Sequence, residues 1–184
     1  YNNGKSAENG GTGNLGIKES TIAIAEGPMF YVTNTSVNVD LENVKFGFAK
    51  DAPLAEIVAG DWGEAGKNGG NLVLNAEEQH LKGDIVVDAI SSVKFDMGSK
   101  VTYKGAINPN KQGTAVVVMD KTSKWTLAAD SYLESIQFEK TVEKGIKQIN
   151  SKGYNIYYNP KNPANAALAG KTYSLKGGGL LLTY

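Results

Sequence analysis

Short stretches in which apolar and polar residues alternate recur along most of the chain. In residues 36–41, Val37, Val39 and Leu41 alternate with polar residues, and residues 92–97 repeat the pattern around Phe95. A period of two residues is typical of a β-strand with one buried and one solvated face. The pattern predicts strands at residues 21–25, 30–33, 37–41, 44–48, 71–74, 85–88, 93–97, 100–104, 115–119, 124–127, 132–138, 155–158, 171–175 and 180–183.

Turn-forming residues separate these stretches, and helical signal is scarce. The chain has 22 glycines among 184 residues, and many of them stand with Asn, Ser, Thr or Asp. These residue types accept the backbone angles and the local hydrogen bonds that turns require. Val142, Ile146 and Ile149 have helical spacing, but Gly145 interrupts them. We therefore predict an all-β fold.

A weak internal repeat favours one all-β architecture. Residues 29–46, 85–103 and 116–133 each read as an apolar strand, a Ser/Thr turn, an alternating strand, a small turn and a third strand. Units of about 20–30 residues that stack to share one core are typical of a β-solenoid. We predict a right-handed parallel β-helix with protruding loops and a C-terminal cap. A β-sandwich, in which short strands also recur, is the alternative.

Several segments of the sequence point to a known group of proteins. They are 27–36, 41–44, 62–71, 79–88, 123–127, 130–133, 154–158 and 170–173. Through these segments the chain resembles the C-terminal part of bacterial adhesin-like, right-handed parallel β-helix surface proteins, and residues 125–127 and 130–133 are similar to coils of autotransporter passenger domains. The resemblance implies a secreted or cell-surface location and supplies no catalytic motif. We expect residues 1–184 to be one β-helix domain, a piece of a longer protein, with a flexible Gly/Asn-rich lead at 1–16 and terminal coils and cap at 139–184.

The charge balance narrows the choice of partners. Nineteen lysines face nineteen acidic residues, and the chain has neither arginine nor cysteine. A neutral chain lacks the overall positive charge that is typical of nucleic-acid binding, and no apolar run is long enough to span a bilayer. We expect an extracellular glycan or a host protein as the partner, with no nucleic acid and no membrane insertion by this segment.

Candidate chemistry for a cofactor or a metal is weak. Residues 11–16 match the glycine spacing of a dinucleotide-binding loop, but no strand precedes them and a strand is predicted after them. His80 is the single histidine, and without cysteine the chain cannot supply the nitrogen and sulfur ligands of a zinc site. We predict no cofactor, no metal and no catalytic residue.

The segment from Gly60 to Gly70 predicts a protruding loop, and it contains the first candidate binding site. Trp62 is either an exposed aromatic platform for a sugar or a plug over the edge of the core. If it is a platform, Asp61 and Asn68 are the polar residues best placed beside it.

A polysaccharide-degrading hydrolase or lyase is the alternative to a non-catalytic module. Asp88 and Asp120 follow strands that the repeat treats as equivalent, so they would lie near one another. Glycoside hydrolysis needs two carboxylates within about 10 Å in one groove. Because no such arrangement is evident from the sequence, a non-catalytic surface module that acts in adhesion or as a stalk, and that binds carbohydrate, is the main prediction.

Overall fold

The computed structural model describes residues 12–184 and shows a β-solenoid of about seven turns. Strands hold 46% of the residues and helices 8%, which confirms the predicted all-β class and the stacked parallel strands. One short helix, α1 (Val142–Gly145), precedes 3-10 turns at Ile146–Gln148 and Pro163–Leu168. The strands are β1 (Thr12–Lys18), β2 (Thr21–Ala23), β3 (Phe30–Val32), β4 (Thr35–Glu42), β5 (Lys45–Gly47), β6 (Ala55–Ile57), β7 (Gly70–Glu77), β8 (His80–Lys82), β9 (Ile85–Val87), β10 (Ser92–Met97), β11 (Thr102–Lys104), β12 (Thr114–Met119), β13 (Lys124–Thr126), β14 (Ser131–Leu133), β15 (Ser135–Phe138), β16 (Ile149–Asn150), β17 (Ile156–Tyr158), β18 (Tyr173–Ser174) and β19 (Leu180–Thr183).

Most turns of the solenoid contribute one strand to each of three faces. The first face is a continuous parallel sheet in the order β1, β4, β7, β10, β12, β15. The second face contains β2 and β5, followed by β8, β11, β13 and β16. The third face contains β3, β6 and β9, continues through a bridge between Ile85 and Ile107, and ends with β14, β17 and β19. The chain therefore returns to the same face once in every turn.

One apolar column fills the space between the three faces. On the first face, Val39, Leu74, Phe95, Val117 and Ile136 are register partners in successive turns, and each is at most 2% exposed. Their sequence neighbours point outward, as the alternation predicted. A single turn cannot bury its inner side chains, so stacking of the turns creates the core.

Two aromatic residues of the second face complete the core and satisfy their own polar atoms. The hydroxyl of Tyr103 lies 2.9 Å from the carbonyl oxygens of both Gly83 and Ala106. The indole N–H of Trp125 donates to the carbonyl of Gly105 at 2.8 Å. Tyr103 is 2% exposed and Trp125 is fully buried, so these bonds avoid the cost of an unpaired buried polar group.

A 3-10 turn covers the last strand of the first face. Asn165, in the segment Pro163–Leu168, accepts a hydrogen bond from the N–H of Ile136 at 3.0 Å. Its amide also donates to the carbonyls of Glu134 and Asn159, at 3.0 and 2.7 Å. An open solenoid end would leave a row of unpaired backbone groups, which this side chain partly replaces. On the third face, β18 pairs antiparallel with β19.

The true period differs from the repeat that the sequence predicted. Partners in successive turns of the first face are 24, 35 and 21 residues apart, and the longest turn contains the loop before β7. The first two predicted repeats both begin on the third face, at β3 and β9, whereas the third begins on the first face, at β12. The strands of all three faces bury one side, so the apolar pattern alone does not show to which face a strand belongs.

The predicted lead also differs from the structure. Residues 12–16 belong to β1, which pairs with β4 along its whole length, and residues 1–11 of the lead lie outside the described residues. Gly13 and Gly16 interrupt the side-chain alternation here, which hid the strand from the sequence pattern. These two glycines of the dinucleotide-like motif lie within a strand.

Candidate functional site

The three residues of the predicted sugar site lie in one loop but differ in exposure to solvent. Trp62 and Asp61 lie in the loop between β6 and β7, where Asp61 is exposed and Trp62 is 46% exposed. Asn68 is 7% exposed, and its amide donates to the carbonyls of Gly60 and Trp62 at 2.6 and 3.1 Å. Asn68 therefore holds the loop in shape from within, and only Trp62 and Asp61 face solvent.

Asp88 stabilises the corner between the third and first faces. It follows β9, and its carboxylate accepts from the N–H groups of Ala59 and Ile90 at 2.6 and 3.1 Å. Burial raises the pKa of Asp88, but hydrogen bonds from Ser91, Ala59 and Ile90 outweigh it and hold that pKa below its ordinary value of 3.8. The carboxylate is thereby kept ionised as a partner for backbone donors.

Asp120 lies at a different corner, between the first and second faces. It follows β12, and it accepts from the N–H of Thr122 at 2.6 Å. Partial burial raises the pKa of Asp120, but hydrogen bonds from the hydroxyl and the N–H of Thr122 bring it below 3.8. The sequence repeat predicted that Asp88 and Asp120 lie at equivalent positions of the turn, and this prediction is wrong. Each carboxylate accepts hydrogen bonds from backbone groups near its own corner.

A different cluster brings half-buried aromatic rings together with polar groups on the third face. Tyr132 of β14 and Tyr157 of β17 are register partners at outward positions of the third face. Their rings stack with centroids 4.7 Å apart and planes 7° from parallel. Inward residues flank each of them, so the alternation of the strands directs both rings to the surface.

A lysine side chain lies close to Tyr132 of this stack and also to a third tyrosine. The Nζ atom of Lys111 lies 5.4 Å from the ring centroid of Tyr132 and 5.2 Å from that of Tyr184. A cation this close to a ring face is attracted by the negative face of the ring. Together with Glu134, these residues line a cleft of about 160 Å³. We refer to Lys111, Tyr132, Glu134, Tyr157 and Tyr184 as the tyrosine cluster.

Glu134 provides the negative charge of the tyrosine cluster. Its carboxylate accepts from the side-chain amides of Asn159, at 3.0 and 3.2 Å, and Asn162, at 2.6 Å. Burial raises the pKa of Tyr184, and the charge of Glu134 and its hydrogen bond with Tyr184 raise it further. The cluster thus combines aromatic rings, an ammonium and a carboxylate within one small area.

The tyrosines of the C-terminal segments fall into a buried set and a surface set. Tyr158 is fully buried and donates to the carbonyl of Lys171, while Tyr173 donates to that of Leu168. Tyr157 and Tyr184 instead belong to the tyrosine cluster. The alternation in β17 separates Tyr157 from Tyr158, but only the strand register shows that Tyr157 meets Tyr132.

No group of three or more His, Asp or Glu side chains that could hold a metal ion occurs among residues 12–184. In the same part of the chain, no helix has both the length and the apolar character needed to cross a bilayer.

Comparison with known proteins gives the chain no relative: no family model, no curated protein and no solved structure matches it.

Proposed function

We propose that this solenoid is a non-catalytic module of a secreted or cell-surface protein, and that it binds carbohydrate through the tyrosine cluster. The stacked rings of Tyr132 and Tyr157 carry this proposal. Sugar rings have apolar faces that pack on aromatic rings, and their hydroxyl groups need hydrogen-bond partners at the edges. Lys111 provides donors, and Glu134 provides an acceptor within the same cluster.

The rod-like stacking of turns supports a role in presenting this cluster. Each turn bonds to the next along a continuous parallel sheet, and one apolar column runs through the core. Such a scaffold holds surface side chains in fixed relative positions, which lowers the entropy lost when a ligand binds. Adhesion to a surface glycan, or to a host protein that carries one, is the function that this arrangement favours.

Binding to a glycan array tests the proposal. The complete chain is compared with Tyr132→Ala and Tyr157→Ala, and Tyr31→Ala is the matched control. Tyr31 is 57% exposed on the same face, in the first turn, outside the cluster. We expect the wild-type chain and the control to bind the same glycans. Each cluster variant should lose about tenfold in affinity, which is typical of a central aromatic contact.

Three results would contradict the proposal. The first is the absence of glycan binding by the wild-type chain, and the second is equal affinity of the control and the cluster variants. The third is the release of new reducing ends from a bound polysaccharide, since this would indicate hydrolysis. Circular dichroism of each variant establishes that the solenoid is intact before affinities are compared.

A further inference from the structure

Five of the nineteen lysines of this neutral chain lie on the second face. On the second face no aspartate or glutamate stands in a strand of the described residues, whereas the first face carries carboxylates such as Asp40 and Asp96. The net charge of the chain is zero, so the positive charge of the second face results from how the charged residues are distributed over the surface. The lysines of the second face, four in strands and one at a bridge to β16, are Lys45, Lys82, Lys104, Lys124 and Lys176.

Two of these lysines, Lys124 and Lys176, lie where the second face meets the C-terminal segments, together with three lysines of neighbouring segments. A cleft of about 450 Å³ lies there, and none of the described residues that line it is an aspartate or glutamate. We call this cleft the lysine groove. Its cationic lining residues are Lys121, Lys124, Lys140, Lys147 and Lys176.

The walls of the lysine groove are fixed by buried contacts. Trp125 points into the core between the outward residues Lys124 and Thr126, and it is fully buried. On the other wall, the amide of Gln148 donates to the carbonyls of Asp120 and Ser123 at 2.8 and 2.6 Å. These bonds tie the 3-10 turn to the corner of the solenoid, so the groove exists before any ligand binds.

No lysine of the groove forms an ion pair with a described residue. The ion pairs found among residues 12–184 join Lys18 to Glu42, Lys67 to Glu64 and Lys100 to Glu78, and none of these lies in the groove. The nearest corner carboxylates, Asp120 and Glu139, accept hydrogen bonds from backbone N–H groups. Like charges gathered in one cleft repel one another, and a polyanion relieves that repulsion when it binds.

A column of polar residues continues from the lysine groove along the solenoid axis, past a second cleft in which Lys82 and Lys104 lie with Asp51 and Asp84. Lys82, Lys104, Thr126 and Asn150 are successive partners, and Asn150 bridges to Lys176. Parallel strands lie about 4.8 Å apart, so this column spaces its polar groups regularly along a line. Such a line fits an extended polymer better than a single small anion.

We propose that the lysine groove binds a linear acidic polysaccharide that carries carboxylate or sulfate groups. Single-stranded nucleic acid usually stacks its bases on exposed aromatic rings, but Tyr103 and Trp125 on this face point inward. The chain also has no arginine for bidentate contacts with phosphate. This site is separate from the tyrosine cluster, and its ligand class goes beyond the function proposed above.

Binding of the complete chain to defined polymers tests this proposal. The probes are polygalacturonate for carboxylate, dextran sulfate for sulfate, neutral dextran and a single-stranded DNA of matched total charge. The test variant is Lys124→Gln with Lys176→Gln, and Lys94→Gln with Lys161→Gln makes the same change in net charge away from the groove. All four side chains are exposed, so we expect every variant to fold. Circular dichroism checks this.

We expect the wild-type chain to bind at least one acidic polysaccharide, with affinity that falls as salt concentration rises. The groove variant should lose about tenfold in affinity, the control double variant should stay within about twofold, and Lys124→Arg with Lys176→Arg should retain binding. If only one of the two acidic polymers binds, its anionic group, carboxylate or sulfate, is the group that the lysine groove recognises. Tyr157→Ala should leave this binding unchanged, which distinguishes it from the function proposed for the tyrosine cluster. Equal losses in the two glutamine double variants, equal or tighter binding of DNA, or no binding to either acidic polymer would overturn the proposal.

Discussion

The side chain of Gln79 replaces a backbone pairing at Val44. The N–H of Val44 donates to Oε1 of Gln79 at 2.8 Å, and Nε2 of Gln79 donates back to the carbonyl of Val44. Gln79 is 1% exposed and lies between the second and third turns, where the second face has no ladder between β5 and β8. One amide side chain thus joins two turns that the sheet leaves unpaired.

Replacement of Gln79 by leucine should therefore destabilise the solenoid. Gln79→Leu leaves the N–H and the carbonyl of Val44 buried without partners, and we expect a loss of about 3 kcal/mol in the free energy of unfolding. Urea denaturation measures it. Gln137→Leu is the control, since Gln137 is exposed on β15, and its effect should be within about 0.5 kcal/mol. Similar losses in the two variants would show that the Gln79 bonds contribute nothing specific.

The alternation of side chains was enough to predict the class of fold. Residues 37–41 and 93–97 were predicted as strands with one buried face, and β4 and β10 bury the expected side chains. The same pattern could not reveal the role of Gln79, which reads as an ordinary turn residue. Its partner, Val44, is 35 residues away, and only the register of the turns brings the two together.

The candidate sites were harder to predict for the same reason. The sequence indicates Trp62 as a candidate because the residues of its loop are neighbours in the chain. Tyr132 and Tyr157, by contrast, meet only because their strands are adjacent in the fold. Asp88 and Asp120 were placed together by a repeat that was out by one strand. A neutral composition also concealed the lysine groove, because net charge carries no information on where the charges lie.

Gly70 marks a close approach that excludes any side chain. A Cβ atom at Gly70 would lie 2.4 Å from the carbonyl oxygen of Val32 and 2.9 Å from Cγ2 of Ile57. We expect Gly70→Ala to lower the free energy of unfolding by about 1–3 kcal/mol, as is typical of overpacking. Gly16→Ala is the matched control in a strand, because its Cβ would meet nothing within 4 Å. Thermal denaturation of both variants checks this, and an unchanged melting temperature for Gly70→Ala would contradict it.

Asn165 should be the most sensitive residue of the C-terminal turn. Asn165→Ala removes three hydrogen bonds to backbone groups of Ile136, Glu134 and Asn159. We expect a loss of about 2–4 kcal/mol in unfolding free energy, with faster hydrogen exchange at the Ile136 amide. Asn110→Ala, at an exposed turn position, should change neither quantity. If the Ile136 amide stays equally protected in Asn165→Ala, the side chain is not the cap of β15.

Tyr103 should make the solenoid sensitive to alkali. Burial and the nearby charge of Asp84 raise the pKa of Tyr103 well above its ordinary value of 10.0. The folded chain therefore keeps this proton when the unfolded chain releases it. Its contribution to stability is complete below pH 10, and it decreases as the pH rises above 10 towards the folded-state pKa. The decrease has a limiting slope of about 1.4 kcal/mol per pH unit.

The comparison with Tyr103→Phe isolates this effect from the other titrating groups. At pH 7 the variant should be less stable by about 1–2 kcal/mol, because the carbonyls of Gly83 and Ala106 lose the hydroxyl. Above pH 10 its unfolding free energy should fall less steeply than that of the wild-type chain, so the two curves converge. Urea denaturation at intervals between pH 8 and about pH 11.5 measures both curves. Parallel curves over this range would show that the phenol of Tyr103 ionises equally readily in the folded and unfolded chains, contrary to its burial.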